Sequence, residues 1–227
     1  MAESFPGPVS AAISLAYKIN PSLGGAVEQN MKGLWGDPPS IRESALQWTK
    51  LGVDVDNSTK SIKNAIKVLG EHWEGQAKDA YVNWMQTLNE DSIAVIGNQF
   101  KKISGILTSV ADDVNAMNGE LTQLCTWFVG VVGGILFKNM AGKAEAAAAA
   151  TMFLDKLSEF NTSYINKLAP RVAEISQIDA EIGEGVIGRM VQHVPDMNHP
   201  FPYQVRQFAD SYKWNIMGDW RKWNYTK

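Results

Sequence analysis

The sequence predicts an all-α protein: an elongated helical bundle built on a long antiparallel helix–turn–helix hairpin, with a second helical hairpin packed on it. Three observations carry this. Apolar or small residues recur every four and three positions along two long stretches, as one face of a helix requires. A single interruption, Trp73-Glu74-Gly75, separates the stretches. No strand array or collagen repeat is visible, and no self-repeat beyond the heptads.

The elements follow in order. Residues 1–37 are punctuated by Pro6, Pro8, Pro21, Gly24, Gly25, Gly33 and Gly36. They read as an N-terminal arm with one short helix, about Ser10 to Ile19. Pro38-Pro39-Ser40 then opens the first long helix, because proline is tolerated where an N–H would be unpaired anyway. Its seam is Ile41, Ala45, Trp48, Gly52, Val55, Thr59, Ile62, Ile66, Leu69 and Trp73, and it ends near Glu71. The pattern resumes at Ala77 and runs through Tyr81, Trp84, Leu88, Ser92, Val95, Gln99, Ile103, Leu107, Val110, Val114 and Met117 to Leu121, with a break expected near Asn118-Gly119. Two long helices joined by so short a link fold back antiparallel. This hairpin occupies 38–118.

Residues 119–192 read as a second, Gly/Ala-rich hairpin. Its first arm holds the apolar run Leu124 to Phe137, and Lys138 to Lys143 form the turn. Its second arm starts at Glu145 and Ala146–Ala150 and should weaken at Pro170, which lacks a backbone donor. In the tail, 193–227, Pro195, Pro200 and Pro202 break regularity and aromatic residues crowd the end.

Composition narrows the function classes. The chain has 227 residues, 45% of them hydrophobic, which suffices for a core. Its 21 basic and 24 acidic residues leave a net charge of -3, which argues against nucleic acid as the main partner. The lone cysteine, Cys125, cannot form an intrachain disulfide and reads as a small core residue. The start, Met-Ala-Glu-Ser-Phe-Pro-Gly-Pro, lacks the basic and long apolar regions of a Sec signal peptide. The apolar run ending at Phe137 is shorter than the roughly 20 residues a bilayer span needs.

The interruption is the informative motif. Glycine adopts positive φ at no steric cost, so Gly75 suits a tight reversal. Trp73 caps the seam with a large amphipathic surface. Glu74 and Asp79 lie at the positive dipole end of the next helix. A heptad helix, a W-x-G turn and then Gln76-Ala77-Lys78-Asp79-Ala80-Tyr81 resemble the W-x-G family of type VII (ESX) secretion substrates, over roughly Ser40 to Asn118. The resemblance implies a hairpin that pairs into a four-helix bundle and is exported folded. It makes Trp73, Glu74 and Gly75 the turn and secretion motif. The length is more like that of the larger fused or effector-type members. The family's tyrosine-x-x-x-acid signal is not found: Tyr17, Tyr81, Tyr164, Tyr203 and Tyr212 meet Pro21, Met85, Leu168, Gln207 and Ile216. Some members receive that signal from a paired partner.

The expected function is therefore a secreted, non-enzymatic substrate or effector scaffold that acts through protein binding and self-assembly. The expected partners are the secretion machinery or a W-x-G protein. The chain would be cytoplasmic before export and secreted or at the cell surface after it. Two alternatives stay open: a pore-forming or membrane-perturbing helical protein, and an intracellular adaptor or chaperone for an exported partner. Trp127, Phe128, Gly130, Gly133 and Gly134 are the candidate oligomer or membrane contact, because small residues let helices approach closely. In this reading the glycines face the alanines of the second arm. Trp214, Trp220 and Trp223 are a candidate partner-docking strip. No HExxH, CxxC, P-loop, GxSxG or dinucleotide fingerprint occurs, so no cofactor, metal or catalytic residue is assigned. His193, Asp196 and His199 read as a surface loop rather than a metal site.

Overall fold

The computed structural model describes residues 5–138 and 142–183, which are helical apart from short connections and contain no strand. The helices are α1 (Gly7–Ile19), α2 (Pro21–Leu34), α3 (Pro38–His72), α4 (Gln76–Leu88), α5 (Ala94–Lys138) and α6 (Lys143–Ala180). A π-helical turn, Asn89–Ile93, links α4 to α5 without a break. The chain divides into two compact units. One holds residues 5–43 and 107–173. The other holds residues 44–106 with the described residues from 174 onward.

The first unit is built on an apolar core. The N-terminal arm is two helices rather than one. Asn20 ends α1 and starts α2, where its side chain accepts a hydrogen bond from the Ser22 N–H at 2.8 Å and Pro21 takes the first helical position. Tyr17 Oη donates to the Glu28 carboxylate at 2.7 Å and ties the two together. Val9, Ala12 and Ala16 of α1 and Val27, Met31 and Leu34 of α2 are buried at helical spacing. They join one cluster with Leu121, Cys125, Phe128 and Val132 of α5 and Ala146, Ala149, Ala150, Phe153 and Leu157 of α6. Phe128 and Phe153 stack at 4.3 Å with planes 10° apart. The Asp113–Lys167 ion pair at 3.1 Å lies further along the same two helices, so α5 and α6 run antiparallel.

The second unit has a more polar seam. The Thr49 and Ser104 hydroxyls pair at 2.7 Å, and Ser104 Oγ donates to the Ala45 carbonyl at 2.7 Å. Lys101 pairs with Asp56, Asn89 Nδ2 donates to the Thr59 carbonyl at 3.3 Å, and Lys63 meets Glu90 at 3.5 Å. Residue numbers rise along α3 as they fall along its partner, so these helices are antiparallel too. Gly52 and Gly97 are buried where they come close: a Cβ at Gly52 would stand 3.2 Å from the Gly97 carbonyl oxygen. The π-turn adds a residue to one helical turn and accompanies the burial of both Asn89 and Ser92.

Two expectations are corrected. The described part of the arm, 5–37, is a helical pair: Asn20-Pro21 starts the second helix, and burial against α5 and α6 outweighs the glycines that follow. No break falls at Asn118-Gly119: α5 passes through both. At Pro170, where weakening is expected, α6 continues to Ala180 with the proline inside. One lost backbone hydrogen bond is tolerated where residues on both sides, Leu157 and Ile178, are held by burial. The two units interleave along the chain.

Phe128→Ala should lower stability by about 3–5 kcal/mol, since it removes a fully buried ring and leaves a cavity. Urea unfolding checks this, and a loss below about 1 kcal/mol would contradict the core placement.

Candidate functional site

The Trp73-Glu74-Gly75 motif lies between α3 and α4, where the seams predicted it. The Trp73 N–H donates to the Leu69 carbonyl at 3.0 Å and closes the last turn of α3. Gly75 then takes φ 101° and ψ 174°, a region open essentially to glycine alone. Its carbonyl accepts from the Asp79 N–H at 3.2 Å, the first bond of α4. No side chain caps this helix, so Asp79 in the first turn is the acidic group that complements its dipole. Lys78 sits 3.3 Å from Asp79, an exposed pair of little energetic weight.

Above the turn the aromatic rings form a ladder. Trp73 meets Tyr81 at 5.9 Å and Tyr81 meets Trp84 at 5.7 Å, both tilted, within the range of favourable aromatic pairs. The ladder is not sealed. Trp73 is 37% exposed, Val68 is 53% exposed, and α4 contains no buried residue. This end therefore offers tryptophan, tyrosine and aliphatic surface, the composition of a binding hot spot.

The other candidate residues separate. Phe128 is core, not surface. Trp127 is 38% exposed, with the Lys156 ammonium 5.8 Å from its ring centre. Gly130 and Gly134 are exposed and Gly133 half-buried, and a Cβ built on any of them meets nothing within 4 Å. The expected glycine–alanine approach is therefore not made. The buried stripe of α5 is Leu121, Cys125, Phe128 and Val132, and Gly130 and Gly134 fall on the far side of the helical wheel from it, with Gly133 on the flank. The close glycine approach occurs instead at Gly52 and Gly97. Trp214, Trp220 and Trp223 lie outside the described residues, as do His193, Asp196 and His199. Cys125 is fully buried, and desolvation pushes its thiol up to about 12, so it stays protonated near neutral pH.

Sequence reasoning missed the surroundings of Trp35 and Asp37, because it left residues 1–37 as an arm. Asp37 caps α3, its Oδ1 accepting from the Ser40 N–H at 3.3 Å. The aspartate before Pro38-Pro39 was the signal available. No protein-family model, curated protein or solved structure matches this chain.

Gly75→Ala should destabilise by about 1–3 kcal/mol, because open space around the site leaves backbone strain as the sole cost. Chemical denaturation tests it, and an unchanged midpoint would remove the requirement for glycine at the turn.

Proposed function

We propose that this chain is a W-x-G type substrate or effector scaffold of a type VII secretion system, working through protein binding rather than catalysis. In this reading α3 and the α4–α5 rod form the family's hairpin, with Trp73, Glu74 and Gly75 as the turn and secretion motif. A W-x-G protein or the secretion machinery covers the half-open aromatic ladder, and the chain is cytoplasmic before export and secreted or surface-bound after it. One observation carries the reading: the glycine-only backbone at Gly75 falls at the one break between α3 and α4, directly after the tryptophan. The backbone at this turn accounts for the glycine of the motif by chemistry rather than by chance, and the Trp73 ring packs against Tyr81 beside it. Self-association through the exposed side of α5, at Trp127, Gly130 and Gly134, belongs to the same proposal.

Deleting the secretion ATPase of the producing cell should abolish appearance of the chain in the medium while its cellular level holds or rises. Equal medium levels with and without the ATPase reject the proposal.

A second reading, a membrane-perturbing helical protein, has its own observation. The stretch Ala94–Leu136 of α5 contains a window with mean hydropathy 1.3, of which 22% is buried. Against it, Asp112, Asp113 and Glu120 lie within the stretch, and charge at bilayer depth is costly. Under the first reading, dye-loaded liposomes should stay intact at micromolar protein. Rapid leakage would favour the second.

A further inference from the structure

Within the unit of residues 5–43 and 107–173, the α2–α3 connection and α5 line a cleft of about 720 Å³. Phe5 and Trp35 provide aromatic surface, meeting edge to face at 6.3 Å and 90°. From α5 come Asn115, Asn118, Gly119 and Thr122. A two-way clasp holds the parts together. The Gly36 N–H donates to Asn118 Oδ1 at 3.3 Å, and Asn118 Nδ2 donates back to the Gly36 carbonyl at 2.9 Å. A Cβ on Gly36 would collide with the Val114 side chain, so the connection lies tight on α5.

Three features select the ligand. First, the cleft includes the start of α3, and a helix start normally attracts anions through its free N–H groups. Here Pro38 and Pro39 fill the first two positions and have no N–H, and the Ser40 N–H is taken by Asp37. The helix-start N–H donors that an anion would use are therefore missing. Second, Asp37 is the one charged residue among the described residues lining the cleft. With one oxygen of its carboxylate in the cap, the other is left for a donor, beside rings whose faces attract cations. Third, Gly119 sits inside α5, where glycine costs about 1 kcal/mol relative to alanine. A Cβ there meets nothing within 4 Å, so packing does not require glycine. Gly119 lines the cleft and puts no side chain into it. The exposed Asn115 amide adds a carbonyl acceptor at the same place.

We propose that this cleft binds an organic cation, an alkylammonium or guanidinium of the kind that lysine and arginine side chains carry. Phe5 and Trp35 pack against the cation and its stem. The Asp37 carboxylate and the Asn115 carbonyl accept its N–H groups. The assignment is independent of the secretion proposal and stands or falls separately.

The test uses the full chain and follows the Trp35 indole N–H by NMR, assigned with a Trp35→Phe variant. N-acetyl-argininamide should shift this signal saturably, with a Kd on the order of 1–10 mM. The neutral isostere N-acetyl-citrullinamide should leave it in place. Asp37→Asn keeps a cap oxygen but loses the charge, and should weaken binding by about tenfold. Gly119→Met fills the cleft while improving helix propensity, so it should abolish the shift with the melting temperature held or raised. A Gly-Gly-Arg-Gly-Gly peptide identifies the source of the cation. Binding tighter than N-acetyl-argininamide supports the site and assigns it to a partner chain, and equal binding supports it and assigns it to a free small cation. No saturable shift in the wild type overturns the proposal. So do equal shifts with the citrulline compound, or wild-type binding by either the Asp37→Asn or the Gly119→Met variant.

Discussion

Four side chains spaced four, three and four apart on α5, Leu121, Cys125, Phe128 and Val132, have to leave water, and one neighbouring helix cannot cover them. The alanines of α6, Ala146, Ala149 and Ala150, let that helix come close while Phe153 stacks on Phe128. Val9, Ala12 and Ala16 of α1, with Val27, Met31 and Leu34 of α2, complete the cover. Small residues on the covering helices and large ones on α5 interdigitate, which is how interiors reach their packing density. The helical pair at the N-terminus exists because of this demand. An isolated pair of helices of 13 and 14 residues would be marginal in water, and docking on the stripe supplies what propensity does not.

The second unit is held differently. Its buried positions include Asn89, Ser92, Gln99 and Ser104. Hydroxyls and amides paired across a seam add little net stability, but leaving them unpaired is expensive. The Thr49–Ser104 and Thr59–Asn89 contacts therefore act on register: a slip of the helices would strand these groups away from their partners. Gly52 and Gly97 act on distance, since either gaining a side chain would push the helices apart. Toward α4 these devices stop, no residue is buried, and the Trp73–Tyr81–Trp84 ladder stays half open. Exposed aromatic surface arises where the intramolecular seam runs out.

Two parts of the molecule thus look outward for opposite reasons. The ladder is apolar surface that two helices are too few to cover. The cleft beside Trp35 is a polar-edged hollow, held by a clasp at Gly36–Asn118, into which Gly119 puts no side chain. In the two proposals the first meets another helical surface and the second takes a single charged group.

Periodicity alone determined the all-helical class, the course of α3, the seam of α4 and α5, and the placement of Gly75 at the turn. Ala45, Gly52, Ile66, Gln99, Ile103, Val114, Met117 and Leu121 lie on the seams read from spacing, and all are buried. These are local properties: a helix repeats every 3.6 residues whatever surrounds it, and only glycine is at ease at φ 101°. What the tertiary structure decided is what each face meets. Spacing put Phe128 and Gly130 in one apolar run, and only packing sent Phe128 inward and left Gly130 exposed. It also kept α6 whole through Pro170 and made helices of a glycine- and proline-dotted arm. In each case burial contributed by distant segments outweighed a local preference of about 1–3 kcal/mol, the size of a single backbone penalty.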